Sequence, residues 1–158
     1  MSWNTAANWS CTSDGEAVPG AGDSLVFPTA GSGDKTLTND ITAGTSFASI
    51  TFSGTGTVYY IIEGNAIALT SGMTNSSSTN QVVNLNVALS SSVTFNTTRG
   101  LSLGGVISGS SDIAKTGTSY LDFGGDNTFL GNVAVNAGRR SQRSAEKARW
   151  PDAPDRAQ

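Results

Sequence analysis

The feature that most constrains this chain is a succession of very short apolar clusters separated by turn residues. Clusters with strand character fall at Leu25–Phe27, Lys35–Thr38, Phe47–Phe52, Val58–Ile62, Ala66–Leu69 and Gln81–Leu89. They continue at Val93–Asn96, Leu101–Leu103, Val106–Ser108, Ile113–Lys115, Tyr120–Phe123 and Val133–Asn136. Most run three to six residues and alternate apolar with small polar residues, the period of a half-buried strand. Two-residue hairpins on Asn-Gly or Asp-Gly would signal an antiparallel sandwich. Asp-Gly occurs once, at Asp14-Gly15 ahead of the strands, and Asn-Gly not at all. A three-residue strand is too short for a free-standing sheet. It suffices as one rung of a solenoid, where it is paired above and below and like residues stack on like. The pattern therefore predicts an all-β chain and favours a solenoid over a sandwich or a barrel.

Composition sharpens this. Charged residues are only 13% of the chain, about half the usual share, with Gly, Ser, Thr and Asn in their place. A disordered chain would be richer in charge and proline and poorer in such apolar clusters. Residues 1–138 carry nine acids against three bases, a net −6, whereas residues 139–158 carry six bases against three acids. An acidic body without a basic stripe argues against a nucleic-acid partner. The single Cys11 excludes an intrachain disulfide framework. No apolar run nears the roughly 18 residues of a membrane helix, so no membrane insertion by this segment is expected. The start is neither basic nor apolar, and no signal peptide is expected there.

Two domains follow. Residues 1–138 are expected to form the β-helix with an N-terminal capping region. Residues 139–158 have one aromatic, two prolines and no Ile, Leu, Val or Phe. They read as a charged tail, disordered or one short helix over Ser141–Trp150, with a non-native origin as an alternative.

Two stretches carry a resemblance. Trp3–Phe27 contains W-N-T-A-A-N-W-S and then V-P-G-A-G-D-S-L-V-F. Gly104–Gly138 contains Ile107-Ser108-Gly109, Lys115, Gly117, Leu121, Gly125, Asn127, Gly131, Val135 and Gly138 at the spacing of a repeat. Both resemble bacterial proteins with autotransporter-associated β-strand repeats; Ser119, Phe129 and Asn132 depart from that pattern. The resemblance implies a right-handed single-stranded parallel β-helix (solenoid), truncated here at its C-terminal end. It also implies an exported passenger, cell-surface or secreted as part of a longer parent, and often an adhesin. Within the repeat, Ile107, Ile113, Leu121, Phe123, Val133 and Val135 should point inward at alternate positions. Gly109, Gly117 and Gly131 should occupy corners with positive φ, Asn127 a stacked corner, and Lys115 a solvated strand position that discourages edge aggregation. The cut end should favour self-association.

Chemistry is thin. Gly22-Asp23-Ser24-Leu25 spells the nucleophile block of an esterase family, but the chain has no His to take the serine proton. One Cys and no His also leave no expected cofactor or metal site. The remaining candidates are Asp112, Asp122, Asp126 and Lys115, which share one repeat; paired carboxylates hydrolyse glycosides and a buried Lys serves as a base. Against them, Asp122 alternates with Leu121 and Phe123 and so faces out, while Asp126 sits in a Gly-Asp-Asn turn. Trp3, Trp9 and one ring of Tyr59-Tyr60 are candidates for a sugar-binding face, with the tryptophans better read as a cap on the first rung. The function expected is a structural or adhesive surface module with a carbohydrate or host-surface partner. The alternative is a small β-helical hydrolase or carbohydrate-active module.

Overall fold

The computed structural model describes residues 1–10, 18–28 and 31–142. Cys11 and residues 143–150 of the helix expected over Ser141–Trp150 lie outside them, while Ser141 and Gln142 belong to a strand. The described chain forms one 3-10 turn, Ala6–Asn8, and fourteen strands. These are β1 (Ser24–Pro28), β2 (Ser32–Asn39), β3 (Thr45–Ser53), β4 (Thr57–Gly64), β5 (Ile67–Asn75), β6 (Gln81–Val83) and β7 (Val87–Leu89). They continue as β8 (Val93–Thr97), β9 (Leu101–Leu103), β10 (Ile107–Gly109), β11 (Ile113–Thr116), β12 (Tyr120–Phe123), β13 (Val133–Val135) and β14 (Arg139–Gln142).

Every named strand pair is parallel. One sheet runs β1-β3-β5-β8-β11-β13, with β7 and β10 extending it from β5; the second runs β2-β4-β6-β9-β12-β14. The chain passes repeatedly from one sheet to the other, with β7–β8 and β10–β11 as consecutive strands of the first, giving a β-solenoid of about five turns. Between Asn80 and Asn132 the turn length is regular. Hydrogen bonds between Gly100 and Asn80, Val106 and Asn86, Ile107 and Asn127, and Asn132 and Asp112 each span 20 residues. The first turn is longer: Leu25 pairs with Ile50 and Leu37 with Ile62, 25 residues on.

Glycine shapes the corner between the two halves of β5. Gly72 has φ +130, and a Cβ there would lie 2.0 Å from the Thr94 carbonyl oxygen. Residues before this bend pair with β7 and those after it with β8. The cluster Gln81–Leu89 is therefore not one strand but two, β6 and β7, which lie on different sheets. Its alternation continues across the turn because Leu85 points inward there too.

Inward positions stack in columns. Leu37, Ile62, Val83, Leu103 and Phe123 form one, and Leu25, Ile50, Met73, Phe95 and Lys115 another. All the apolar members are buried, each contributing about 1.5–3 kcal/mol relative to exposure. Lys115 departs from the expectation of a solvated strand residue: it is 0% exposed, because its pairing with Phe95 puts it on the inward side. Gly109 and Gly117 have the expected positive φ, +113 and +76. Gly131 is required for close approach instead, since a Cβ would lie 2.0 Å from the Ser111 carbonyl oxygen. Val135, expected inward, is 46% exposed, because nothing described stacks on the last rung.

At the N-terminal end Trp3 is buried against Phe27 and Phe47, with Trp9 edge-on at 6.0 Å. Trp9 Nε1 donates to the Trp3 carbonyl at 2.7 Å. Asp40 ties this segment to the end of β2, accepting from the Ser2 hydroxyl at 2.6 Å and the Asn4 N–H at 2.8 Å. Those bonds, the Ser2 one foremost, hold its carboxyl below the ordinary 3.8. At the other end, the boundary drawn at Gly138 falls inside the solenoid: Arg139–Gln142 pairs with Tyr120–Phe123.

Candidate functional site

The four chemical candidates are not gathered. Asp112 is exposed before β11 and accepts from the Asn132 N–H at 2.7 Å. Asp122 faces outward from β12, partly exposed, and accepts from the Ser141 hydroxyl at 2.7 Å. Asp126 is exposed in the turn after β12. No hydrogen bond joins any two of them among the described residues, and no group of three metal-ligating side chains occurs there. Lys115 Nζ donates to the carbonyls of Thr116 at 2.5 Å, Gly117 at 2.9 Å and Ala137 at 3.1 Å. Burial lowers its pKa from 10.5. An ammonium spent on three carbonyls is a corner brace.

Ser24 opens β1 on the rim of a cavity of about 820 Å³ that also exposes Trp9, Asp23 and Val26. Asp23 accepts from the Gly20 N–H at 2.8 Å, and Gly22 takes φ +93. The tetrapeptide thus forms the entry turn to β1.

The outer faces of the two sheets differ in chemistry. On the first, the outward column is Val26, Thr51, Thr74, Asn96 and Thr116, small and polar after its first member. On the second, one column runs Asp34, Tyr59, Asn80, Gly100, Tyr120 and Arg139, with Asn80 two residues before the Ile61–Val82 pair and Gly100 one residue before the Gln81–Leu101 pair. The neighbouring column runs Thr36, Ile61, Val82, Ser102, Asp122 and Ser141. Tyr59, Ile61, Val82 and Tyr120 are all partly exposed.

Glycine sets the posture of Tyr120. A Cβ on Gly100 would lie 2.1 Å from Tyr120 Cζ and 2.5 Å from its hydroxyl oxygen, so the ring leans back across the Gly100 backbone. Asn80 Oδ1 accepts the Gly100 N–H at 2.9 Å. The Arg139 guanidinium carbon is 5.7 Å from the ring centre. Tyr59 has its hydroxyl pKa raised from 10.0, first by burial and then by Tyr120 and Asp34. Of the expected sugar-face residues, Tyr59 is thus outward, while Tyr60 is buried and donates to the Pro28 carbonyl at 2.7 Å. Sequence reasoning did not single out Tyr120 beside Tyr59. Its signal was the glycine 20 residues earlier, readable only once the turn length is known.

No family model matches the sequence, and no solved structure matches it. The chain is 33% identical over 152 residues, 90% of its length, to the adhesin BmaC autotransporter of Brucella suis biovar 1 (strain 1330). It spans 4% of that relative's length. Stacked parallel rungs make the described chain a β-solenoid, and its sequence is similar to a small part of an autotransporter adhesin.

Proposed function

We propose that the chain is an adhesive module of a surface-exposed or secreted passenger, with its repeat segment of the autotransporter-associated β-strand kind. The observation that carries this is the outer face of the second sheet. There Tyr59, Ile61, Val82 and Tyr120 stand partly exposed on a lattice of paired parallel strands. Tyrosine is among the residues that dominate binding energy at recognition surfaces. A sheet held at a fixed spacing presents such rings without an ordering cost on binding. The similarity to an adhesin supports the same reading.

The test is adhesion. Inert beads coated with the chain are expected to attach to cultured epithelial cells well above albumin-coated beads. Attachment no greater than albumin would overturn the adhesive reading.

A further inference from the structure

The dimensions of the tyrosine strip limit what it can hold. Tyr59 and Tyr120 are three rungs apart, roughly 14 Å at about 4.8 Å per rung, and the two columns stand about 7 Å apart along the strands. The strip is therefore on the order of 100 Å², against roughly 800 Å² per partner in a stable protein interface. A peptide added as a strand is also unsuited, because the backbone groups of these inner rungs already pair within the sheet. Between Tyr59 and the Tyr120 ring, which covers Gly100, lie Ile61, Asn80, Val82 and Ser102, none of them charged, while Asp122 flanks the strip at its Tyr120 end. Asn80 is exposed, with its Oδ1 fixed on the Gly100 N–H. Two aromatic rings with apolar side chains and neutral hydrogen-bonding groups between them match a sugar ring, which offers C–H faces and neutral hydroxyls.

We propose that this strip is a binding site for an uncharged oligosaccharide, laid along the solenoid axis between Tyr59 and Tyr120. The site rests on the adhesive reading and names the chemical class that the face takes. The ring of Tyr120 supplies a platform because Gly100 lets it lean on the backbone, Tyr59 supplies the second, and Asn80 bonds hydroxyls between them. Arg139 lies against Tyr120 without being required.

Cellohexaose and chitohexaose serve as uncharged probes and hyaluronan hexasaccharide as the charged one, each titrated calorimetrically into the full chain. At least one uncharged probe is expected to bind, and Tyr120→Ala and Tyr59→Ala to weaken it tenfold or more. Gly100→Ala, which keeps both tyrosines but pushes the Tyr120 ring off the backbone, is expected to weaken it severalfold. Thr94→Ala on the other sheet and Arg139→Ala are expected to leave it unchanged. Failure of both uncharged probes to bind would overturn the proposal, as would binding that survives both tyrosine substitutions. Preference for hyaluronan, lost in Arg139→Ala, would replace it with an acidic ligand. Beads that still adhere while no uncharged probe binds would leave the adhesive reading standing and remove this site alone.

Discussion

The Lys115 ammonium donates to the carbonyl of Ala137 at 3.1 Å, joining one rung to the turn that follows the next. Lys115 occupies the same inward column as Phe95 and Met73, so a charge stands where two rungs above it hold apolar side chains. Its stem fills the column while its head closes the corner, a division available to a long amphipathic side chain. Lys115→Ala removes both contributions and is expected to cost about 2–4 kcal/mol in urea unfolding. Lys115→Met keeps the volume and removes a buried charge, so its loss is expected to stay under about 1.5 kcal/mol. Equal losses in the two variants would show that the carbonyl brace, and not the filled column, carries the stability.

The same lysine sets a pH signature. Its folded-state pKa is lowered by burial from 10.5, so between that lowered value and 10.5 the unfolded chain binds more protons than the folded one. Stability contributed by this site therefore rises with pH through that window. Tyr60 and Tyr59 act oppositely: burial raises both above 10.0, so beyond pH 10 the unfolded chain loses protons first and stability falls. Unfolding free energy followed from pH 8 to 12 is expected to rise and then drop, and Lys115→Met to remove the rise. At the acid end, the Asp40 tie is kept above its ordinary 3.8 and lost as pH falls through its lowered value. Tryptophan fluorescence from the Trp3–Trp9 pair is the readout for that loosening.

Two glycine substitutions separate backbone crowding from side-chain crowding. A Cβ at Gly72 meets the Thr94 backbone oxygen at 2.0 Å with φ at +130, whereas the nearest atoms to one at Gly100 belong to the Tyr120 ring, Cζ first at 2.1 Å. Gly72→Ala is expected to destabilise by about 2 kcal/mol or more, because neither the angle nor the neighbour can yield. Gly100→Ala is expected to change stability by about 0.5 kcal/mol or less, because the ring swings away. Thermal unfolding of the pair checks the contrast.

These cases mark what the sequence could and could not disclose. The short clusters were legible because a period of two survives in three residues: Leu101–Leu103 is β9 as read, and Ile113–Lys115 lies within β11. What alternation does not encode is the phase of one turn on the next. Lys115 reads as solvated until its partner is known to be Phe95, and Tyr120 reads as unremarkable until Gly100 is known to lie beneath it. Buried polar groups were equally hidden.

Asn75, Ser77 and Gln81 form such a group at the corner between β5 and β6. Ser77 donates to Asn75 Oδ1 at 2.7 Å, Gln81 Nε2 donates to Thr79 Oγ1 at 2.8 Å, and Gln81 Oε1 accepts the Tyr60 N–H at 2.6 Å. Gln81→Leu leaves that N–H buried without a partner and is expected to cost about 2–4 kcal/mol. Amide exchange at Tyr60 should accelerate more than at Ile50, a core amide on the other sheet.

The central claim is that the outer face of the second sheet is the adhesive one, and bead attachment to epithelial cells tests it most directly. Beads carrying a Tyr59→Ser, Tyr120→Ser chain that unfolds at the unmodified temperature are compared with beads carrying Thr94→Ala. The double variant is expected to attach no better than albumin, and Thr94→Ala as well as the unmodified chain. Full attachment by the double variant would contradict the claim.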